Sequence, residues 1–353
     1  MGYSVIIEIC KYRVASVSTA GSSSEAKKLM LRCLVILRCA ITNARSTWTA
    51  RHYPRFDSIA PTLRNRYYLG VLDQDTATPP HADAETVTVP TTAPPLPQGY
   101  DWRTDSGALA QCIGTIQDQG KCGSCWAVAS IESLSDRRCI RSAQSNGTTG
   151  IERIALSSLD IIACDKLCEG IEKCCRGCTG GYPKLAFEYV KEKGVVSATC
   201  MPYDVNKSLL CPLPPCEKPL DDEKYKAKQV KQIFGGALAM QAEILQHGPV
   251  AATFTVYEDF FNYASGVYQL TNMSGKRAGL HAVKVLGWGV LNDINSETGA
   301  GGSGSVGLPY WRAQNSWGAE WGMNGSFLIA QGQCGFEESV FTATPCLGGE
   351  ICV

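Results

Sequence analysis

The first helix that the hydrophobic pattern predicts begins at Cys125. Apolar residues at Ala127, Ile131 and Leu134 follow this cysteine at helical spacing. Three more segments combine helical spacing with a start or stop signal, such as a serine cap at Ser157, a terminal glycine or a following proline. These segments cover residues 156–164, 182–194 and 237–248.

The pattern changes near residue 250, where β-branched and aromatic runs with partial alternation replace the helical spacing. The predicted strands cover residues 250–257, 281–290 and 308–317. A glycine- and serine-rich stretch between the last two, residues 292–307, is interpreted as an inserted loop without function. Helices followed by strands predict an α+β fold with two lobes.

The N-terminal part of the chain lacks the pattern of a core. Residues 30–44 have a basic start, a short apolar run and a small final residue, which is typical of a secretory signal starting at Met30. Arg38 interrupts the run, and an ordinary disordered terminus is the alternative. The sequence therefore predicts an extension with signal peptide (1–44), a short polar and aromatic segment (45–75), a Thr/Pro-rich linker open to proteolysis (76–97) and a folded domain (98–353).

Charge and cysteine content narrow the class of protein. Lysine plus arginine equals aspartate plus glutamate at 33 each, so nucleic acid and anionic membranes are not predicted partners. The stretch at 30–44 is too short and too charged to span a membrane. Fifteen of the 18 cysteines follow residue 111, which favours an oxidising compartment: the secretory pathway, with lysosome, vacuole or the extracellular space as destination. Glycosylation sequons support this assignment weakly and occur at Asn146, Asn206, Asn272 and Asn324.

Residues 119–127, QGKCGSCWA, place two cysteines three apart. They could form a redox or metal pair, or Cys122 could be a disulfide partner and Cys125 a nucleophile. If disulfides take fourteen of the fifteen clustered cysteines, one thiol remains. The flanking pattern is not βαβ, which argues against a thioredoxin-like pair. The cysteine cluster at 164–178 has spacings that zinc sites use, but no histidine is near, so we expect disulfides and no metal.

Four histidines limit the choice of a catalytic base: His52, His81, His247 and His281. The first two precede the folded domain, and His247 ends a predicted helix, where a cap or solvent-facing role is expected. His281 opens a predicted strand, and Asn315 follows 34 residues later. A Cys–His–Asn site is assembled across the fold, so this separation is no obstacle.

Three segments in order carry a specific resemblance. Residues 119–127, 280–289 and 315–325 are similar to the active-site signatures of papain-like cysteine proteases. The resemblance runs from about residue 100 to the C-terminus. Within that family the cathepsin B-type branch is most similar, through CTGGYP at 178–183, CMPY at 200–203, residues 256–268 and CGFEE at 334–338. Residues 47–56 resemble the short propeptide of that branch, and the implied fold has a helical lobe, a β-barrel-like lobe and an active site in the cleft between them.

The resemblance implies a catalytic role for each of five residues. Cys125 would attack as a thiolate, because a helix N-terminus and a protonated imidazole lower a thiol pKa. His281 would be its acid–base partner, and Asn315 would hold the imidazole in the useful tautomer. Trp317 would shield the His–Asn hydrogen bond. The Gln119 side chain, with the Cys125 backbone N–H, would stabilise the oxyanion.

The same resemblance implies a substrate pocket. Gly180 and Gly181 would let the substrate backbone lie alongside as an added strand. The other implied pocket residues are Tyr182, Pro183, Leu280, Trp317 and Ser339. Implied disulfides are Cys112–Cys139 and Cys122–Cys178, and neither a metal nor a cofactor is expected.

Three departures from the cathepsin B pattern bear on specificity. No histidine occurs between residues 200 and 231, where the branch carries an occluding loop whose histidines bind a substrate carboxylate. Leu280 stands where glycine is usual, and Ser339 stands where the branch has an acidic residue at the base of the S2 pocket.

We therefore predict a cysteine endopeptidase that works through a thioester acyl-enzyme, prefers an apolar P2 residue and releases few C-terminal dipeptides. Its expected partners are protein or peptide substrates and its own propeptide as inhibitor, and the enzyme is expected to be a monomer made as an inactive precursor. A catalytically silent peptide-binding relative and a cysteine-rich secreted binding module are the alternatives. The surviving nucleophile, base, orienting asparagine and oxyanion glutamine favour the enzyme.

Overall fold

The computed structural model describes residues 47–73, 95–169, 173–206, 211, 224–292, 307–348 and 350–352. The predicted signal segment, most of the linker and the glycine-rich insertion lie outside these residues. Most of the stretch that corresponds to an occluding loop also lies outside them.

The described residues form five α-helices: α1 (Pro61–Tyr68), α2 (Cys125–Asn146), α3 (Ser158–Cys164), α4 (Pro183–Glu192) and α5 (Gly236–His247). The four predicted helices are confirmed, and α1 was not predicted. Helix α3 begins as expected, because the Ser157 hydroxyl accepts a hydrogen bond from the Asp160 N–H at 3.2 Å. Proline at the first position starts both α1 and α4, where its missing N–H costs nothing.

Eleven β-strands are described: β1 (Trp48–Ala50), β2 (Tyr100–Asp101), β3 (Cys168–Glu169), β4 (Lys173–Cys174), β5 (Ala227–Gln232), β6 (Val250–Tyr257), β7 (Tyr263–Tyr268), β8 (Arg277–Leu291), β9 (Leu308–Gln314), β10 (Ser326–Ala330) and β11 (Ser339–Pro345). All three predicted strands form. The run predicted over 308–317 is three residues too long, because Asn315 leaves the sheet and donates its N–H to the Gly325 carbonyl at 2.9 Å.

Nine strands join in one sheet in the order β1-β7-β10-β9-β8-β6-β11-β5, with β2 paired to β8. Its pairs are antiparallel apart from β7 with β10. The N-terminal strand β1 therefore extends the same sheet that carries His281 on β8. Strands β3 and β4 form a separate two-stranded sheet.

Two hydrophobic clusters divide the molecule into two lobes. The sheet lobe is rich in aromatic residues, and its core includes Trp311, Trp317 and Trp321. The helical lobe packs α3 and α4 around the buried start of α2. Ala282 on β8 belongs to the helical cluster, so the two lobes meet next to Cys125.

Two residues just before position 98 also contact the sheet lobe. Leu96 packs against the sheet-lobe cluster, and the Pro97 carbonyl accepts a hydrogen bond from Trp288 Nε1 at 3.0 Å. Among the described residues, no helix is long and apolar enough to cross a lipid bilayer.

Disulfides account for most of the described cysteines. The two bonds that the resemblance implies, Cys112–Cys139 and Cys122–Cys178, are both formed. Three others are Cys164–Cys211, Cys168–Cys174 and Cys346–Cys352. The described part of the chain contains no cluster of residues able to hold a metal.

The expectation of a single leftover thiol is wrong. Cys175 and Cys334 are free in addition to Cys125. An odd cysteine count therefore could not identify the nucleophile, because it fixes only that at least one thiol is unpaired.

Candidate active site

Cys125 is the first residue of α2 and is fully buried between the lobes. The Cys122–Cys178 disulfide fixes the loop before it, and the Ser124 N–H donates to the Cys122 carbonyl at 2.8 Å. The Cys125 sulfur accepts hydrogen bonds from the N–H of Gly70, at 3.1 Å, and from the N–H of Ala282, at 3.5 Å. The sulfur thus lies at the start of a 22-residue helix, where the helix dipole favours a negative charge.

His281 lies on β8 beside the cysteine, one residue before Ala282. Its Nε2 is 2.7 Å from Asn315 Oδ1, and that oxygen also accepts the Ser316 N–H at 2.8 Å. The ring Nδ1 is buried and has no hydrogen-bond partner among the described residues. The Trp317 ring lies 4.9 Å from the imidazole and is fully buried, so it excludes water from this side of the His–Asn pair.

Gln119 is held at both ends of its side-chain amide. The Ser316 hydroxyl donates to Oε1 at 2.6 Å, which turns the Nε2 group toward the cleft. Nε2 donates to the carbonyls of Cys122, at 2.9 Å, and Tyr67, at 3.0 Å. The Gln119 amide, predicted from the sequence as an oxyanion donor, therefore donates to two backbone carbonyls, one of which belongs to the N-terminal segment.

The glycine pair lies on the opposite wall of the cleft. A side chain at Gly181 would meet the Trp126 ring at 2.5 Å, and one at Gly180 would meet Leu72 at 2.8 Å. Gly181 donates its N–H to the Gly70 carbonyl at 2.9 Å and accepts the Leu72 N–H at 3.2 Å. The edge that was expected to bind substrate backbone thus carries the N-terminal segment.

The remaining pocket residues are not all equally close to the cysteine. Tyr182 belongs to the same buried cluster as Cys125, and the Leu280 carbonyl accepts the Val71 N–H at 3.4 Å. Pro183 begins α4 and is buried. Ser339 lies on β11 opposite Thr253, with its hydroxyl buried and without a hydrogen-bond partner among the described residues.

Burial changes the protonation of the central pair. It raises the pKa of the Cys125 thiol to about 11 and lowers the pKa of His281 to about 4, against the opposing effect of the Asn315 hydrogen bond. With the cleft covered, the neutral thiol and neutral imidazole are favoured. The thiolate–imidazolium pair expected from the sequence is therefore disfavoured in this covered form.

The segment is not placed for attack by the cysteine. The Leu69–Gly70 peptide points its N–H at the sulfur, and in a trans peptide the carbonyl oxygen points the opposite way. The carbonyl on the Gln119 donor belongs to Tyr67 instead. Acyl transfer requires one carbonyl at both the nucleophile and the oxyanion donors, and the peptide at the sulfur does not meet this condition.

Sequence reasoning missed Ser316 and Gly70 as parts of this site. Ser316 lies between two residues that were identified, which was an available signal. Gly70 follows an unpredicted helix, and its closeness to Cys125 depends on chain folding rather than on any local motif.

The sequence profile described as "Papain family cysteine protease" matches residues 96–344, more than half of the chain. This chain belongs to the papain family of cysteine proteases. Curated relatives place it in the cathepsin B-like branch of that family. "Cathepsin B-like cysteine proteinase 5" of Caenorhabditis elegans is 34% identical over 340 residues, covering 86% of this chain and 88% of the relative. The "Gut-specific cysteine proteinase" of the same organism is 38% identical over 266 residues, covering 69% and 72%.

A solved precursor has the same architecture as this papain-family protein. The structure of "proCathepsin B S9 from Trypanosoma congolense" matches with a TM-score of 0.70 and 28% identity, covering 88% of this chain and 98% of that one. The predicted membership and the two-lobed α+β fold are therefore confirmed. The likeness to a proform supports a cysteine peptidase made as a zymogen.

Proposed function

We propose that this chain is a cysteine endopeptidase whose Cys125, His281 and Asn315 hydrolyse peptide bonds through a thioester. The observation that carries the proposal is the convergence on Cys125 of the His281–Asn315 pair and the Gln119 donor. The His281–Asn315 hydrogen bond measures 2.7 Å and the Ser316–Gln119 hydrogen bond that orients the donor measures 2.6 Å, and all four residues are at most 4% exposed. Such preorganisation is what acyl transfer requires.

In the proposed reaction, His281 takes the Cys125 proton and the thiolate attacks the substrate carbonyl carbon. The carbonyl oxygen becomes an oxyanion that Gln119 Nε2 and the Cys125 N–H stabilise. The C–N bond then breaks, His281 returns its proton to the leaving amine, and a thioester remains. Water, activated by His281, releases the acid and regenerates the thiol.

The direct test compares three variants. Cys125→Ser and His281→Ala should each abolish peptide hydrolysis, since serine cannot supply a thiolate and alanine cannot move the proton. His247→Ala is the matched control, because His247 is half exposed at the end of α5 and contacts Glu243. Near-normal turnover by Cys125→Ser would contradict the proposal and favour a silent peptide-binding relative. A larger loss in His247→Ala than in His281→Ala would mean that the base is wrongly assigned.

We further propose that residues 45–75 are the inhibitory propeptide and that cleavage within 76–97 releases activity. The described part of this segment places backbone groups on Cys125, Gln119 and Gly181, which supports the proposal. N-terminal sequencing of the active enzyme should find a first residue in or after the linker. A first residue well before Thr76 would contradict the assignment.

The proposed specificity is endopeptidase cleavage with an apolar P2 residue. Val71, an apolar residue of the N-terminal segment, is buried in the cluster with Tyr182 and Ala282, beside Leu280, which supports a pocket for such side chains. Ser339 has no charge to pair with an arginine, and a buried guanidinium without a partner is costly. Without a histidine in the occluding-loop stretch, a substrate carboxylate has no obvious partner.

Matched internally quenched peptides test both parts of this specificity. Each peptide carries leucine or arginine at P2 and a free or amidated C-terminus. We expect leucine to be faster than arginine, and amidation to have little effect. Faster dipeptide release from the free acids would overturn the endopeptidase assignment, and faster cleavage of the peptides with arginine at P2 than of those with leucine would overturn the pocket assignment.

The enzyme is also proposed to be a monomer of the secretory pathway, lysosome, vacuole or extracellular space. The five disulfides formed among described cysteines support an oxidising compartment. Cell fractionation with size-exclusion chromatography of the purified enzyme tests both points. Recovery in the cytosol, or elution as a dimer, would contradict them.

A further inference from the structure

Tyr203 lies outside the groups that the proposed reaction uses, yet its hydroxyl contacts two parts of the site. The hydroxyl donates to the Gln119 backbone carbonyl at 3.0 Å and lies 2.7 Å from Ser124 Oγ. A phenol has a single hydrogen, and a carbonyl can only accept. The Ser124 hydroxyl is therefore assigned as the donor to the tyrosine oxygen at 2.7 Å, in preference to its other acceptor, the Cys122 carbonyl at 3.4 Å, so both tyrosine hydrogen bonds form together.

These two hydrogen bonds connect Tyr203 to the residues that carry the two proposed oxyanion donors. Gln119 carries the side-chain donor, and its far end is already fixed by Ser316. Ser124 precedes Cys125, so the Ser124–Cys125 peptide bears the backbone donor. Ser124 also occupies the N-cap position of α2 without a side-chain cap hydrogen bond. Its hydroxyl is directed to Tyr203 instead of to the first turn of the helix.

Tyr203 is itself fixed from the other side. Two residues earlier, the Met201 carbonyl accepts the Ser157 hydroxyl at 2.8 Å, and the Met201 N–H donates to the Ser197 carbonyl at 3.0 Å. Cys200 takes part in a disulfide. Burial raises the pKa of the Tyr203 phenol well above its usual value, so the hydroxyl stays protonated and remains a donor throughout neutral and acidic pH.

We propose that Tyr203 is a positioning residue that aligns the Gln119 and Cys125 N–H donors of the oxyanion site. The inference rests on the proposed cysteine-peptidase function. It assigns to this tyrosine an effect on the transition state and none on the formation of the thiolate. A residue of this kind should change kcat and leave substrate binding unchanged.

The test is Tyr203→Phe in the full chain after activation, which removes the hydroxyl alone. The matched control is Tyr189→Phe on α4, which removes a buried hydroxyl bonded to Asp160 in the same lobe. For Tyr203→Phe we expect kcat to fall about tenfold with KM within about twofold of wild type. Tyr189→Phe should leave kcat and KM unchanged, even if its melting temperature falls as much as that of Tyr203→Phe.

Two inhibitors separate the oxyanion site from the nucleophile. A peptide aldehyde adds to the thiol and forms a hemithioacetal whose oxygen needs the oxyanion donors, so its affinity should weaken about tenfold in Tyr203→Phe. Iodoacetamide alkylates Cys125 by displacement of iodide and forms no oxyanion, so its rate and pH profile should not change. Unchanged kcat, or an alkylation rate that falls in parallel with kcat, would overturn the inference.

A second variant keeps the inference testable if Tyr203→Phe does not fold. Ser124→Ala removes one of the two hydrogen bonds and should weaken aldehyde binding in the same direction by a smaller factor. Unchanged aldehyde binding in a folded Ser124→Ala enzyme would also overturn the inference. Failure of the proposed function would be visible in the wild-type chain, which would show no hydrolysis, whereas failure of this inference concerns only the ratio of variant to wild type.

Discussion

The N-terminal segment holds the rest of the molecule in two different ways. Residues 47–56 form an anchor on the sheet lobe, made largely of buried aromatic side chains. Trp48 packs on Tyr268 with ring centroids 5.1 Å apart, and Phe56 packs 5.4 Å from Phe261. Residues 67–73 form a crossing over the cleft, and its contacts with the proposed catalytic groups are backbone hydrogen bonds. The Gly70 N–H to the Cys125 sulfur is the central one.

The anchor and the crossing therefore have different effects: the anchor determines how tightly the segment binds, and the crossing determines which groups of the site it blocks. Buried aromatic side chains supply most of the binding free energy of such a contact. Backbone hydrogen bonds each contribute little net free energy, but they decide which groups of the site are blocked. The anchor can therefore be weakened without changing what the crossing blocks, and the crossing can be disrupted while the anchor stays bound.

The largest effect is expected from Gly70→Ala in the crossing. A β-carbon there would lie 2.1 Å from the Gly123 carbonyl oxygen, and Gly123 cannot move easily because its N–H is bonded to the Cys178 carbonyl. Overpacking against fixed backbone is poorly relieved, so the intact precursor should hydrolyse peptides at a rate within about tenfold of the processed enzyme. Initial rates, with mass spectrometry to show that the chain is uncut, measure this. Gly348→Ala is the control, since no atom lies within 4 Å of its added carbon, and a silent Gly70→Ala would refute the steric argument.

A smaller effect is expected from Phe56→Ala in the anchor. Truncating this buried ring should weaken the closed state by about 3 kcal/mol, or roughly a hundredfold in the open fraction. The hydrogen bonds of the crossing remain, so inhibition should be partial. Full inhibition should return when an excess of the isolated N-terminal segment is added. Leu63→Ala on α1 is the control, because Leu63 is exposed and its loss should cost less than about 0.5 kcal/mol. Equal effects of the two substitutions would contradict an aromatic anchor.

Acid should open the crossing through His281. Burial holds its pKa at about 4 in the closed state, below the ordinary histidine value of 6.5, so exposure lets the open state bind a proton that the closed state does not between these values. The ratio of closed to open molecules is therefore highest above about pH 6.5. It falls as pH falls toward about 4, by up to about tenfold per pH unit. The open fraction of a Cys125→Ser precursor, measured by susceptibility to an added protease, should show this slope. The same slope in Cys125→Ser/His281→Gln would assign the effect to other groups.

The smallest effect is expected from Asp73→Asn at the end of the crossing. Asp73 pairs with Arg277, but the two side chains are 74% and 46% exposed, and such pairs contribute less than about 1 kcal/mol. Basal activity of the precursor should change by no more than about threefold, and 0.5 M salt should remove the difference. A change as large as that of Phe56→Ala would show that charge, and not aromatic burial, holds the segment.

The sequence predicted those helices and strands that are determined by residues close together in the chain. The Ser157 cap, the apolar spacing after Cys125 and the β-branched runs around His281 were sufficient to place helices and strands. The order of the motifs also identified the residues that meet at the cleft. Helix α1 was missed because it has few apolar positions and its aromatic residues face partners that are distant in sequence.

Long-range contacts explain the other differences. The bond between Tyr67 and Gln119 joins positions 52 residues apart, and no local rule selects it. Burial under the segment turns an expected ion pair into a neutral pair, which depends on the folded environment and not on residue identity. The free thiols of Cys175 and Cys334 could not be identified from a cysteine count.

Alkylation of the three thiols that are free among the described residues tests the central claim most directly. The intact precursor and the processed enzyme are treated with iodoacetamide, and the modified cysteines are located by peptide mass spectrometry. Burial raises the thiol pKa of Cys175 and Cys334, the latter to about 12, so neither should react readily. The account predicts rapid modification of Cys125 in the processed enzyme, with loss of activity, and slow modification in the precursor. Equal rates at Cys125 in both forms, or activity lost through modification of Cys175 or Cys334, would contradict it.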